Sequence, residues 1–276
     1  MAPRPLVPAL LLLSVLASAC RSTEHDGTLP DELASYKRGH YESLPRVVAG
    51  FAGDEDLLHR LAGLDVLLLG DLHDDEALHR RQQELLRAVA ASGRELTLLV
   101  EFIGDEDRAD LDRFLAKRIH LGQLRQRVYR RWAGSWMEFE AFDHMFYRSL
   151  LSWARERELR VTPLEPIPRP PLEDRDALMA RRIRALAEAR PGDLVVVLVG
   201  HTHLLGAGHL LDHLGGLDLL AILPRANTDL LEDLHRKAGS SSRAWHVPFL
   251  VLDDELWLLN PLPLRVPRLD VAPVRG

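Results

Sequence analysis

The chain predicts an α/β fold: a mostly parallel sheet flanked by helices, with a C-terminal antiparallel hairpin. Three observations carry this. Apolar runs of strand length alternate with stretches of helical periodicity along most of the chain. Two of those runs share one pattern, LDVLLLGDLH from Leu64 to His73 and DLVVVLVGHTH from Asp193 to His203. Each is an acidic residue, a β-branched and aliphatic run, then Gly-x-x-His. Near the C-terminus, two further runs are joined by Asp253-Asp254-Glu255, the spacing of a hairpin.

Taken in order, Val66–Leu69 is the first strand, followed by a helix from about Asp75 to Ser92. Leu96–Phe102 is a second strand and ends in Val-Glu-Phe. A long helical section spans Asp105 to Arg157, with breaks expected near Leu121-Gly122 and Gly134-Ser135. Arg160–Leu164 is a short strand ending at Glu165. The four prolines between Pro166 and Pro171 exclude regular structure there. A helix from Glu173 to Ala189 leads into Leu194–Val199. The helix after His203 ends at Gly215-Gly216, Leu217–Leu223 is another strand, and Phe249–Leu252 with Leu256–Leu259 forms the hairpin. The recurrence of Gly-x-x-His hints at an internal duplication, although the rest of the two halves does not align.

The first twenty residues read as a secretory signal, with Arg4, an apolar stretch from Leu6 to Leu16, and Ala17-Ser18-Ala19 before Cys20. Cys20, the only cysteine, stands where a bacterial lipoprotein signal places its lipidated residue. Residues 21–45 are polar and charged with little periodicity, and read as a flexible tether. Residues 46–264 form one domain of about 220 residues, long enough to bury a substantial core, and 265–276 is a C-terminal tail. With one cysteine, no disulfide contributes to the fold. A net charge of −6, without a basic stripe, argues against nucleic-acid binding. No later apolar run is long enough to span a bilayer. The expected place is the cell envelope. Arg21 after the anchor favours the outer membrane on its periplasmic side.

Four strand ends carry a ligand-type or titratable side chain: His73, Glu101, Glu165 and His203. Parallel strands point the same way, so these residues line one rim, where open sheets bind ligands. Two imidazoles and one or two carboxylates suit a divalent metal ion. They suit general acid–base chemistry equally well. One such residue alone would more often cap a helix; the set points to a site. Asp75, His79 and Gln83 share one helical face. His79 is a candidate for the pocket, although an exposed helical histidine is the simpler reading. In HTHLLGAGHLLDH, His203 reads as a site residue, His201 as a candidate, and His209 and His213 as surface. Trp132, Trp136, Phe139, Asp143 and Phe146 recur at helical spacing and read as the core face of a helix that could instead stack on a flat ligand. Neither a phosphate loop nor a GxSxG elbow is present.

On GDLHDDEALHRRQ, LLVEF, RDALMARRI and VVVLVGHTHLLG, in that order from about Val66 to Leu223, the chain resembles the ChaN-like haem-binding lipoproteins of the Tiki/TraB-type superfamily. The resemblance implies an α/β fold with His73, His203 and Glu101 around a common pocket. It departs from the ChaN pattern at Glu165, where an Asn-like residue is usual, and in its His-Thr-His, where Gly-Ala-Gly-His is common. Both departures add ligands. Two functions follow from the resemblance. The first is a lipid-anchored envelope protein binding haem for iron or haem uptake, with His73, His203, His79 and Tyr147 as cofactor-binding candidates; homodimerisation is compatible with it. The second is a metal-dependent hydrolase, a Tiki-like peptidase or an esterase, in which His73 and His203 hold the ion, with Glu101 as a third metal ligand, and Glu101 or Glu165 completes the shell or acts as the catalytic base that deprotonates the attacking water.

Overall fold

The computed structural model describes residues 29–132, 135–224, 229–230, 232–233, 236 and 247–259. The expected signal segment, Cys20, residues 21–28 of the tether and the tail 265–276 lie outside these residues. Eight strands form one sheet: β1 (Gly50–Ala52), β2 (Val66–Asp71), β3 (Leu96–Gly104), β4 (Arg160–Glu165), β5 (Leu194–Gly200), β6 (Leu219–Leu223), β7 (Phe249–Val251) and β8 (Leu256–Leu259). Their spatial order is β1-β7-β8-β6-β2-β5-β3-β4. From β8 to β4 every neighbouring pair is parallel, and β7 pairs antiparallel with both β8 and β1. The fold class is therefore the expected one. β1 extends the antiparallel edge, as a strand too short to show a periodicity.

The helices are α1 (Leu29–Ser43), α2 (Asp54–Leu61), α3 (Glu76–Ala91), α4 (Arg108–Leu115), α5 (Leu121–Arg131), α6 (His144–Glu156), α7 (Leu172–Ala189) and α8 (Leu210–His213). Because successive strand residues point to opposite faces, β2 divides between two cores. Leu67 and Leu69 join the layer containing α2 to α6, whereas Val66 and Leu68 join the layer containing α7 and α8. Burial on both faces explains why the central strands are continuous aliphatic runs rather than alternating ones. Among the described residues no helix is long and apolar enough to cross a membrane.

The section 105–157 is a 3₁₀ turn (Asp105–Asp107) and three helices, with α5 starting at Leu121 and ending at Arg131, close to the two expected breaks, and turns from 135 to 143. Two elements differ from the sequence expectation. After His203 only the single turn of α8 is helical, because Gly206 and Gly208 take positive φ. Residues 29–43, expected as tether, form α1. Its inward positions are Leu33, Tyr36, His40 and, just beyond its end, Leu44. The spacing is helical, but two of the four residues are polar, so an apolar periodicity does not reveal it.

Candidate functional site

The parallel register places the two matching motifs side by side. β2 and β5 are neighbours, with Gly70 opposite Val199 and Asp71 opposite Gly200. β3 lies on the other side of β5, and β4 beyond it. The rim therefore runs His73, His203, Glu101, Glu165 along the carboxyl ends of four adjacent parallel strands. A Cβ added to Gly200 would stand 3.3 Å from Oε2 of Glu101, 3.5 Å from Cε1 of His73 and 3.6 Å from Cδ2 of His203. Three of the expected site residues thus converge on one position beside Gly200.

His73 is built on a residue that the sequence reading passed over. Asp71, the last residue of β2, is buried, and its Oδ2 accepts from Nδ1 of His73 at 2.8 Å. Oδ1 accepts from Nε2 of His79 at 2.8 Å, and the Tyr147 hydroxyl donates to Oδ2 at 2.7 Å. Burial pushes the Asp71 carboxyl up, but the bonds from His73 and His79 outweigh it and hold it at about 2. An ionised Asp71 can only accept, so Nδ1 of His73 carries a proton and Nε2 is the ring nitrogen left to meet a ligand. Among the described residues Nε2 meets no hydrogen-bond partner. The ring lies 3.8 Å from Trp136 and 5.0 Å from Phe142 between centroids, and its side chain is 27% exposed.

His79 is not the exposed helical residue expected. It is buried between two carboxylates, with Nδ1 2.9 Å from Oδ2 of Asp143, and it stacks on Phe146 at 4.0 Å. Burial works against its charge, yet Asp71 and Asp143 raise its pKa overall. His79 thus stands behind Asp71 and orients it. Tyr147 has the same role: it is fully buried with its hydroxyl committed to Asp71, and burial followed by that carboxylate raises its pKa. The aromatic stripe is likewise redistributed. Trp132 caps α5, Trp136 sits in the following turns and Phe146 is in α6, so Trp136 is free to pack on His73 rather than on a helix neighbour.

The second half of the site is a chain of alternating charges. Glu101 accepts from the Gly200 amide on Oε2 at 2.7 Å and from Arg175 on Oε1 at 2.7 Å. The same Arg175 nitrogen donates to Glu165, whose other oxygen is 3.1 Å from Nε of Arg169. Nε2 of His203 lies 3.5 Å from Oε1 of Glu101, and its Nδ1 is 2.6 Å from Oδ1 of Asp176. Burial raises the Glu101 carboxyl, but His203 and then Arg175 override it and hold it well below the usual carboxylate range. Burial lowers His203, and Glu101, with help from Asp176, raises it to about 9. His203 is therefore a cation at neutral pH, unlike a metal-ligating imidazole.

Two of the three residues expected to hold a metal are otherwise committed. Both Glu101 oxygens and both His203 nitrogens have protein partners. Among the described residues no group of three or more His, Cys, Asp or Glu side chains is arranged to hold a metal ion. His201 places Nδ1 3.0 Å from the Asp71 carbonyl and Nε2 3.1 Å from the Tyr41 hydroxyl. His209, expected at the surface, is buried against Tyr36. Sequence reasoning missed Asp71, Asp176, Arg175 and Tyr36. Arg175 and Asp176 open the RDALMARRI motif, where an Arg-Asp pair one turn inside a helix was the available signal.

The fold and rim define a class: an open α/β sheet with a histidine and carboxylate site at its central strand ends. The expected resemblance is found, since residues 57–167 match the family described as haem-binding uptake, Tiki superfamily, ChaN. No curated protein matches. Among solved structures, the chain is similar to ChaN of Campylobacter jejuni, described by cofacial haem binding, at 15% identity and a TM-score of 0.48, covering 65% of this chain and 89% of that one. It is also similar to RRSP, a MARTX toxin effector domain of Vibrio vulnificus, at 19% identity and a TM-score of 0.42 over 65% of this chain. The C-terminal region of Pasteurella multocida toxin aligns at 13% identity and a TM-score of 0.46 over 78% of this chain. The chain spans 37% and 30% of those two toxin chains.

Proposed function

We propose that this chain binds haem at the carboxyl ends of β2, β5 and β3, with His73 as the axial ligand. The observation that carries the reading is the Asp71–His73 pair: Nδ1 anchored at 2.8 Å on a buried carboxylate, Nε2 directed away from it and without a protein partner. A carboxylate behind an imidazole fixes the tautomer and strengthens the other nitrogen as a donor to iron. Trp136, tilted against the ring at 3.8 Å, and Phe142, edge-on at 5.0 Å, give His73 an aromatic surround. These donors and walls fit a planar, iron-centred ligand. Haem would supply the iron that accepts the Nε2 lone pair; the chain's own part is to hold and orient His73. The family matched by residues 57–167 supports the same reading.

The finer setting belongs to the same proposal. The signal-like first twenty residues and Cys20 support a lipid-anchored protein of the cell envelope, on the periplasmic side of the outer membrane, acting in haem or iron uptake. Titrating the purified chain with haem tests the binding reading. A Soret band that saturates at a fixed haem-to-protein ratio is expected, and free-haem absorbance throughout would overturn it.

One observation favours a second reading, that of a hydrolase. His73, with a free Nε2, and cationic His203 stand on either side of Gly200 as a base and an acid would. Its metal-dependent form requires Glu101 to release both Arg175 and the Gly200 amide. Metal analysis of the chain and turnover of ester and peptide substrates separate this reading from the first.

A further inference from the structure

Tyr36 lies outside the family-matched segment and outside every motif legible in the sequence, yet it reaches the second histidine of the site. Its hydroxyl donates to Oδ2 of Asp176 at 2.5 Å and lies 2.6 Å from Nδ1 of His203. The same nitrogen is 2.6 Å from Oδ1 of Asp176, so the three groups close a ring of hydrogen bonds. The phenol ring also stacks on His209, 4.0 Å apart and 13° from parallel. Burial, with Asp176, pushes the phenol up, so it remains a neutral donor.

The helix that delivers Tyr36 is attached by polar contacts. The Tyr41 hydroxyl lies 3.1 Å from Nε2 of His201, and the Leu205 amide donates to Nδ1 of His40 at 3.4 Å. Within α1 itself His40 is the one fully buried side chain from position 31 onward, and the first buried aliphatic, Leu44, follows its end. A cavity of about 510 Å³ runs along the seam between Glu32, Ser35, Tyr36 and Gly39 on α1 and the Ala207–His209 turn. A helix held by hydrogen bonds beside an unfilled seam is poised at the low-stability end of the fold.

We infer that α1 is a detachable strap and Tyr36 its latch, a positioning residue that keeps His203 on Asp176 while the strap is docked. When α1 lifts, the Asp176–His203 pair loses its third member and meets water. The inference concerns His203 and holds whether or not the ligand at His73 is haem.

The test uses the full chain. Tyr36→Phe keeps the ring and its stack on His209 and removes only the hydroxyl. The wild type should show a slowly exchanging, strongly downfield Nδ1–H resonance of His203, assigned by its absence in His203→Gln. In Tyr36→Phe that resonance is lost to exchange with water, and amides 33–43 exchange at least about tenfold faster while β2 and β5 stay protected. Wild-type values for both readouts overturn the inference, and a change in one without the other overturns the coupling of latch to strap. A second measurement needs no variant. In sub-denaturing urea, α1 amides and the His203 ring proton should become exchangeable together, well before β2 and β5; simultaneous opening of all of them contradicts a separate strap.

Discussion

Asp71 holds His73 through one carboxylate oxygen and His79 through the other, at 2.8 Å each. Asp143 in turn holds the far nitrogen of His79 at 2.9 Å. The orientation of the exposed histidine is thus set by a buried chain of alternating charge reaching to the start of α6. Replacing Asp71 by Asn keeps the shape but removes the charge that two histidines and Tyr147 share. Breaking such a buried pair costs on the order of 3–5 kcal/mol. The expected outcome is a clearly lowered melting temperature and, by analogy with lost outer-shell partners, haem affinity reduced about 10–100-fold, read by absorbance titration.

Gly200→Ala separates binding from folding. The backbone there, φ −51° and ψ 129°, is open to any residue. The new methyl would meet Glu101 at 3.3 Å and the two histidines at 3.5 and 3.6 Å, so small movements accommodate it. The melting temperature should therefore stay within a few degrees of wild type, since ~1 kcal/mol corresponds to about 2–4 °C in a domain of this size. Ligand binding should fall, because the methyl presses on His73, His203 and Glu101 and shifts their side chains.

The basic limb of the stability profile should belong to His203. Its folded value, about 9, lies above its ordinary 6.5. The folded state therefore binds the proton more tightly; that stabilisation is complete below pH 6.5 and is lost as pH rises through 9. Melting temperatures measured from pH 6.5 to 9.5 should decline, and His203→Gln should flatten the decline.

The acid limb should report α1. Burial, then neighbouring His201, His209 and His203, pushes His40 down from 6.5 to about 3, and Tyr41 on its own helix also packs on it. Here the unfolded chain binds the proton more tightly, so stability falls as pH drops from 6.5 towards 3. Amide exchange of residues 33–43 should accelerate over that range. In His40→Gln it should depend less on pH.

The sheet was legible because each central strand, buried on both faces, is written as an aliphatic run, and because parallel strands carry their terminal residues to the same rim. That logic placed His73, Glu101, His203 and Glu165 together correctly in space. It could not show what each one touches. His79 meets Asp143 from 64 positions away and Tyr36 meets Asp176 from 140, separations that no local pattern encodes. Asp71 was hidden by its own position, reading as a spacer between the glycine and histidine of the motif. α1 was hidden because its buried face is Tyr36 and His40, and Trp136 because helical spacing persists through residues that fold as turns.

The central claim is that Nε2 of His73, freed by Asp71 for an incoming ligand, binds haem iron. The most direct measurement is a paired haem titration of wild type and His73→Ala at neutral pH, with thermal unfolding of both to confirm that each is folded. The account predicts a saturable Soret band in the wild type whose position and affinity change markedly in His73→Ala. Identical spectra and affinities in two folded proteins, or no Soret band in either, would contradict it.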